Sequence, residues 1–381
     1  MASYCLPLGE GACWMLTTTR RLVVRDNQAT ASEYVAEYII QRINAFAPTA
    51  TRPFVLGLPT GSSPQQVYAI LVAAFREKRI SFKHVITFNM DEYVGLPSAH
   101  PQSYHTFMYN HLFSHIDIDP SNVHILDGNA PDLESECAAY EAAIRKAGGI
   151  ELFLGGIGPD GHVAFNEPGS SLNSRTRVKT LAYDTILANS RFFGDDLGKV
   201  PRMALTVGVA TVLAAKEVVI IITGAHKALA LQKCIEGPVN HMWTLSSLQM
   251  HQHALIVVDE DATLELQVKT VKYFKSIEGV AKECGYDQMV PSEIARQNAE
   301  RAAEEAEMKA LLESKGNGTK ANGANGGLMV NGTPQRAVTP DIIPDRMSSR
   351  ISDPPIPEGM MKENGELKMS NMHSRMPVPA Y

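Results

Sequence analysis

Two carboxylates stand side by side in Thr87-Phe88-Asn89-Met90-Asp91-Glu92-Tyr93, directly after an apolar run. Either can take a proton from carbon if its position and proton affinity suit. The same pair fits a capping or loop-closing role. A second cluster, Gly155-Gly156-Ile157-Gly158-Pro159-Asp160-Gly161-His162-Val163-Ala164-Phe165-Asn166-Glu167-Pro168, brings Asp160, His162 and Glu167 within eight residues. An imidazole flanked by acids can shuttle protons, because the acids orient it and tune its proton affinity. Asp, His and Glu are also metal ligands. No second histidine stands nearby and no HExxH pattern occurs, so no metal is expected here. A purely structural loop is the remaining reading.

A third group suits an anion. Leu58-Pro59-Thr60-Gly61-Ser62-Ser63-Pro64 lies between an apolar run and a helical pattern. Small residues there let backbone N–H groups of Thr60, Gly61, Ser62 and Ser63 approach a phosphate, and the following helix adds its positive end. A tight turn with N-cap serines has the same composition. The segment is neither a Walker A loop nor a GxGxxG fingerprint, so nucleotide binding is not supported. Lys227, in Gly224-Ala225-His226-Lys227-Ala228, begins a helix, where a cation is unfavourable unless an anion is present. Arg191 in Ser190-Arg191-Phe192-Phe193 is a second cation of this kind, and a solvated surface role fits both. His241 and Trp243 read as packing residues.

These residues need a frame. Phe54–Leu58, His84–Asn89, Leu152–Leu154, Glu217–Thr223 and Ala254–Val258 are short apolar runs with strand character. Helical patterns run over Pro64–Lys78, Ser103–Phe113, Asp132–Lys146 and Ala225–Ile235. Strands this apolar must be covered on both faces, which implies an α/β fold with an open, mainly parallel sheet and helices on either side. In such sheets ligands bind beyond the carboxyl ends of the strands, and each group named above follows a strand.

Composition narrows the function classes. The 381 residues carry a formal net charge of −6, with 44% hydrophobic and 20% charged residues. No dense basic run appears, so no nucleic-acid partner is expected. The five cysteines, Cys5, Cys13, Cys137, Cys234 and Cys284, form no Cys-x-x-Cys pair. Their scatter fits a reducing cytoplasm better than a disulfide framework. No apolar run reaches the roughly 20 residues that span a bilayer, and the start does not read as a signal peptide, so no membrane partner is expected. The chain divides into an N-terminal extension (1–20), a catalytic domain (21–290), an exposed Ala/Glu/Arg-rich helix (291–314) and a tail (315–381). The tail's Gly, Asn, Ser and Pro content reads as disordered.

Five segments, in order, resemble the glucosamine-6-phosphate deaminase family, within the larger group that includes 6-phosphogluconolactonases. They are Gly57-Leu58-Pro59-Thr60-Gly61, Phe88 to Leu96, Gly158 to Pro168, Ser190-Arg191-Phe192-Phe193 and Val239-Asn240-His241-Met242-Trp243-Thr244. The resemblance runs from about Arg21 to Gly285. It implies conversion of glucosamine 6-phosphate and water to fructose 6-phosphate and ammonia, with no cofactor. It implies that His162, supported by Asp160 and Glu167, opens the pyranose ring, and that Asp91 carries the C2 proton. Gly61 to Ser63, Arg191 and Lys227 would hold the phosphate. The family's bacterial pattern adds an allosteric site for N-acetylglucosamine 6-phosphate between subunits of a homohexamer, matched here by Ser170, Arg177, Lys179 and Tyr273. Arg177 and Lys179 stand two apart, so in an extended segment they share a face.

The chain departs from the pattern in Ser62-Ser63, where the family often has Gly-Thr, and in its extensions at both ends. The N-terminal extension bears on the allosteric site, which in the bacterial pattern uses the start of the chain. Two alternatives stand beside the deaminase: a 6-phosphogluconolactonase, which needs no C2 proton abstraction, and a non-catalytic sugar-phosphate sensor. Asp91 and the long Asn-Glu-Pro motif favour the deaminase over the lactonase. The full set of acids with His162, and only about 20 residues ahead of the first family-like segment, too few for a DNA-binding helix-turn-helix, favour it over the sensor.

Overall fold

The computed structural model describes residues 21–284 and Met308. Apart from Met308, the expected extension over 1–20, helix over 291–314 and tail over 315–381 lie outside the described residues.

Strands and helices alternate along the chain. The first half contains β1 (Arg21–Arg25), α1 (Gln28–Phe46), β2 (Phe54–Leu58), α2 (Ser62–Arg76), β3 (Val85–Asn89), β4 (Asp91–Tyr93), α3 (Tyr104–His111), β5 (Val123–His124) and α4 (Leu133–Lys146). The second half contains β6 (Leu152–Gly155), β7 (Arg177–Thr180), α5 (Tyr183–Ser190), β8 (Met203–Thr206), α6 (Val209–Leu213), β9 (Glu217–Ile222), α7 (Ala228–Ile235), β10 (Ala254–Asp259) and α8 (Val268–Glu283).

Seven strands form one sheet in the order β1-β10-β9-β6-β2-β3-β5, and every pairing is parallel. Side chains alternate across a strand, so an unbroken apolar run must feed two cores. It does. Val219 and Ile221 of β9 join Leu255 and Val257 of β10 in a core with α1 and α2. Val218, Ile220 and Ile222 join Ile256 and Val258 in another, with Tyr140 of α4 and Leu231 of α7. Each buried aliphatic side chain contributes about 1.5–3 kcal/mol before conformational entropy is counted. The expected open, mainly parallel sheet with helices on both faces is the observed one.

The sequence patterns did not reveal a second, three-stranded antiparallel sheet in the order β4-β8-β7. The chain passes into it at Met90, whose N–H donates to Leu58 O at 3.0 Å and whose carbonyl accepts from Val207 N at 2.8 Å. In its register Thr206 lies opposite both Asp91 and Arg177. Tyr93, Phe165, Leu181, Ile186 and Phe193 form a small third core beside it.

Three helix limits differ from the sequence expectation. The helix expected from Pro64 begins at Ser62, because Gly61, at φ 114°, takes the N-cap position in a backbone conformation that glycine reaches without strain. The pattern over Ala225–Ile235 divides into a 3₁₀ turn, Ala225–Lys227, and α7. The pattern over Ser103–Phe113 ends at His111 and gives way to a 3₁₀ turn, Phe113–His115. No helix among the described residues is long and apolar enough to cross a membrane.

Ile220 lies in β9, near the middle of the sheet, and is fully buried. Ile220→Ala is expected to lower unfolding free energy by about 2–5 kcal/mol. Leu229→Ala, on the exposed side of α7, should change it by less than about 0.5 kcal/mol. Urea unfolding of both variants checks the difference.

Candidate active site

Strands β9, β6, β2 and β3 are consecutive in the parallel sheet. The loops leaving their carboxyl ends therefore stand side by side, across roughly 15 Å at the usual strand spacing. These loops carry Lys227, His162, Gly61–Ser63 and Asp91. These four groups arrive at one edge because ligand-facing loops of a parallel sheet leave from the carboxyl ends of its strands.

Asp91 opens β4 and is 7% exposed. Its Oδ1 is buried without a hydrogen-bond partner among the described residues. Burial, then the neighbouring Glu92 charge, pushes its carboxyl up to about 8. The buried phenols of Tyr68, Tyr104 and Tyr140 are also held well above their ordinary range, first by burial, with the Asp91 charge adding to it. This is a poorly solvated corner in which a carboxylate gains affinity for a proton.

Glu92, one residue on, does different work. It accepts N–H hydrogen bonds from Tyr93 at 2.8 Å, Tyr104 at 3.1 Å and His105 at 2.9 Å. Two of these are orphan donors at the start of α3, so Glu92 closes a loop and caps a helix. Of the two acids left open by the sequence, Asp91 is the one with a free carboxylate oxygen.

His162 sits in a tight loop. Its Nδ1 lies 2.5 Å from Asp160 Oδ1 and makes no other polar contact among the described residues. Burial raises the Asp160 carboxyl, but the His162 hydrogen bond and charge outweigh it and hold the carboxyl below its ordinary value. Gly158 makes room for the ring, since a Cβ there would lie 2.1 Å from His162 Cε1. Trp243 packs against Gly161, and Leu245 N donates to Gly161 O at 3.0 Å. The packing role expected for Trp243 is thus directed at the His162 loop.

Glu167 is 3% exposed. Its Oε1 accepts from Ala182 N at 2.9 Å and Thr185 Oγ1 at 2.5 Å, which fastens the start of α5. Its Oε2 lies 3.7 Å from Lys179 Nζ. Among the described residues Asp160 contacts the His162 ring through Nδ1, and no hydrogen bond or ion pair joins that ring to Glu167.

At the anion turn, α2 starts with no side-chain cap hydrogen bond. Its first N–H groups are therefore open to a ligand at the positive end of a 15-residue helix. Lys227 Nζ donates to Ser63 Oγ at 3.0 Å, joining residues 164 positions apart. Burial lowers the Lys227 ammonium, and the Asp259 charge opposes that. Asp259 is itself occupied by N–H groups of Gly224 and Ala262, each 3.0 Å away. Arg191 is exposed, with its guanidinium 4.7 Å from the centre of the Phe192 ring. No hydrogen bond among the described residues ties it to Gly61–Ser63.

The second group of cations also converges. Arg177 and Lys179 share a face of β7, as their spacing predicts. Arg177 Nη1 donates to Asn166 Oδ1 at 2.9 Å, and Lys179 approaches Glu167. Ser170 is buried and its Oγ has no hydrogen-bond partner among the described residues. Tyr273 is 62% exposed on α8, a helix packed against β1, and stands apart from the other three.

Comparison with known proteins places these residues in a wider group. The family model described as "Glucosamine-6-phosphate isomerases/6-phosphogluconolactonase" matches residues 26–257. A "Glucosamine-6-phosphate deaminase" of Aedes aegypti is 64% identical over 260 residues, covering 68% of this chain and 94% of that protein. A "Glucosamine-6-phosphate deaminase 2" of Homo sapiens is 64% identical over 257 residues, covering 68% and 93%. A solved structure described as a monomeric glucosamine-6-phosphate deaminase is similar with a TM-score of 0.61 at 37% identity, covering 64% of this chain and 99% of that one. A 6-phosphogluconolactonase from Trypanosoma cruzi aligns with a TM-score of 0.52 at 19% identity, covering 66% and 98%, which speaks to the fold alone.

The buried Asp91 has a consequence for stability. A carboxyl at about 8 in the folded chain and near its ordinary ~3.9 in the unfolded one makes the folded state bind more protons between these limits. Stability then falls as pH rises from about 4 to about 8. Asp91→Asn removes this penalty, so the variant should melt a few degrees above wild type at pH 8 and close to it at pH 4. Melting curves across that range check it; a gap that stays constant with pH would contradict the burial argument.

Proposed function

The chain belongs to the glucosamine-6-phosphate isomerase/6-phosphogluconolactonase family, and on that premise we propose that it converts glucosamine 6-phosphate and water to fructose 6-phosphate and ammonia by proton transfer. The observation that carries this reading is Asp91. It is a buried carboxylate with a free oxygen among the described residues, at the carboxyl-end edge of the sheet that also carries the His162 loop and the phosphate turn. Hydrolysis of a lactone needs no proton taken from C2, and a sensor has no use for a base at all. The deaminases at 64% identity support the same choice.

The phosphate rests on the open N–H groups of α2 and on Lys227, with Arg191 closing from the α5 side. His162, oriented by Asp160, takes the proton of the C1 hydroxyl and returns one to the ring oxygen, opening the pyranose. Asp91 then takes the C2 proton. Its elevated proton affinity serves here, because a base poised near neutrality removes a weakly acidic proton more readily than one near 4. An ammonium on C2 beside Asp91 favours the ionised carboxylate on binding, so the substrate itself prepares the base. The enolamine is protonated at C1 to give an iminium at C2. Water adds to C2, ammonia leaves, and the ketose phosphate remains. Each of these steps is a proton transfer or an addition within reach of an imidazole and a carboxylate.

Glu167 supports His162 indirectly in this reading, by fixing the end of its loop to α5. Ser170, Arg177 and Lys179 form part of a second anion site, for N-acetylglucosamine 6-phosphate, in a homohexamer. Tyr273 stands apart from these three within one chain, which is what a site between subunits requires. The related structure described as monomeric makes the assembly a matter for measurement. Cysteine usage supports a cytoplasmic setting, with the domain over 21–290 as the catalytic unit and a place in amino-sugar breakdown.

Purified protein given glucosamine 6-phosphate should release ammonia and fructose 6-phosphate in equal amounts. Asp91→Asn should lower turnover by about 10²–10⁴-fold, with substrate binding retained and solvent-deuterium exchange at C2 lost. An Asp91→Asn enzyme with wild-type turnover would remove Asp91 from the mechanism. For the second site, N-acetylglucosamine 6-phosphate should shift the wild-type saturation curve and leave Lys179→Ala unmoved, with light scattering reporting the assembly. A hyperbolic wild-type curve that the ligand does not alter would end that part of the reading.

A further inference from the structure

One buried amide ties the turn after His162 to its surroundings at several points. Asn166 is fully buried. Its Nδ2 donates to Val163 O at 2.9 Å and to Val207 O at 2.8 Å. Its Oδ1 accepts from Arg177 Nη1 at 2.9 Å, and Ser174 Oγ stands 3.5 Å from the same oxygen. Its backbone closes the turn that follows His162, with Asn166 N donating to Val163 O at 3.0 Å, and Thr244 Oγ1 donates to Asn166 O at 2.7 Å. The turn passes through Ala164 at φ 51°, a conformation costly for a residue with a Cβ. Such a turn persists only if its surroundings over-determine it, and the Asn166 amide supplies two of the bonds that do.

The amide must also point the right way. Two carbonyls need its NH₂ end and a guanidinium needs its oxygen, so Arg177 fixes which end is which. Arg177 in turn is placed by the sheet. It stands opposite Thr206, which stands opposite Asp91. Thr206 Oγ1 accepts from Phe165 N at 3.1 Å, inside the same turn. One row of the small sheet therefore locates both the proton carrier and the support of the ring-opening loop.

We propose that Asn166 is a positioning residue for His162 and that Arg177 holds its amide in the working orientation, a role distinct from any second anion site. The proposal rests on the ring-opening role of His162 given above. It does not require an activator: Arg177 works for the catalytic loop while the second site is empty.

All assays are made on the full chain without amino-sugar-phosphate activator. Asn166→Asp replaces the amide donor with an acceptor and should lower kcat by about 100-fold, the cost of a displacement near 1 Å, with KM changed by less than about threefold. Because a buried carboxylate can prevent folding, Arg177→Ala is the second variant. It should lose kcat while its melting temperature stays within a few degrees of wild type, and millimolar guanidinium should restore a large part of kcat. A structural loss would follow the melting temperature and would not be rescued by a small cation. Wild-type kcat in Arg177→Ala, or a loss that guanidinium leaves untouched, overturns the proposal. Wild-type ammonia release, measured alongside, tests the deaminase reading separately, so the two can fail independently.

Discussion

A carboxylate oxygen placed out of water without a hydrogen-bond partner costs free energy, and among the described residues Asp91 Oδ1 is such an atom. The cost is tolerable only where other burial is plentiful and rigid. The seven-stranded sheet supplies it, with apolar side chains from the same strands feeding a core on either face. That sheet also dictates where the polar groups can go. With both faces covered and all strands parallel, the carboxyl ends of β9, β6, β2 and β3 are the adjacent places where side chains can be polar and reach a ligand. Placing the reactive groups there and stabilising the fold are consequences of one arrangement.

The small antiparallel sheet converts that edge into a site. The chain leaves β3 at Asn89, changes sheets at Met90, and lays Asp91 and Glu92 on consecutive positions of β4. Side chains at consecutive strand positions point to opposite faces. One carboxylate therefore meets the amides of α3 and is satisfied, while the other is left in the poorly solvated corner. Two chemically similar acids acquire different work from a difference of one residue in register. Glu92 also raises the Asp91 carboxyl by its charge, so the satisfied acid contributes to the readiness of the free one.

Five strands of the large sheet were legible in the sequence because they are continuous apolar runs that no solvent-facing element would carry, whereas β1, bounded by arginines, and β5, two residues long, were not. The positions of Asp91, His162, Gly61–Ser63 and Lys227 followed from the rule that ligands bind at strand ends. β4, β7 and β8 were not legible as a sheet. They are three or four residues long, β4 and β7 carry charged residues, and all three pair through tertiary contacts that local pattern does not record. The division of labour between Asp91 and Glu92 was hidden for the same reason: it depends on which amides stand opposite. Glu167 read as a partner of His162 by proximity in sequence, yet its hydrogen bonds go to Ala182 and Thr185. The bond between Lys227 and Ser63 joins two loops that the chain keeps far apart, and only the sheet order makes them neighbours.

The two groups of cations differ in a way that bears on how anions act on this protein. Lys227 is held by a neutral hydroxyl, with Asp259 near but engaged by backbone amides. Among the described residues its ammonium has no ion-pair partner, and the uncapped helix start beside it adds to the same field. An anion can settle there without displacing any partner. Arg177 and Lys179 are already engaged, one by the Asn166 amide and the other by the Glu167 carboxylate. An anion that draws on these two must compete with groups that support the catalytic loop and the start of α5. Binding at the first place adds an interaction, whereas binding at the second exchanges one interaction for another. A ligand of the second kind carries differential contacts between two arrangements of the loop, and that is the physical requirement for one site to be coupled to another.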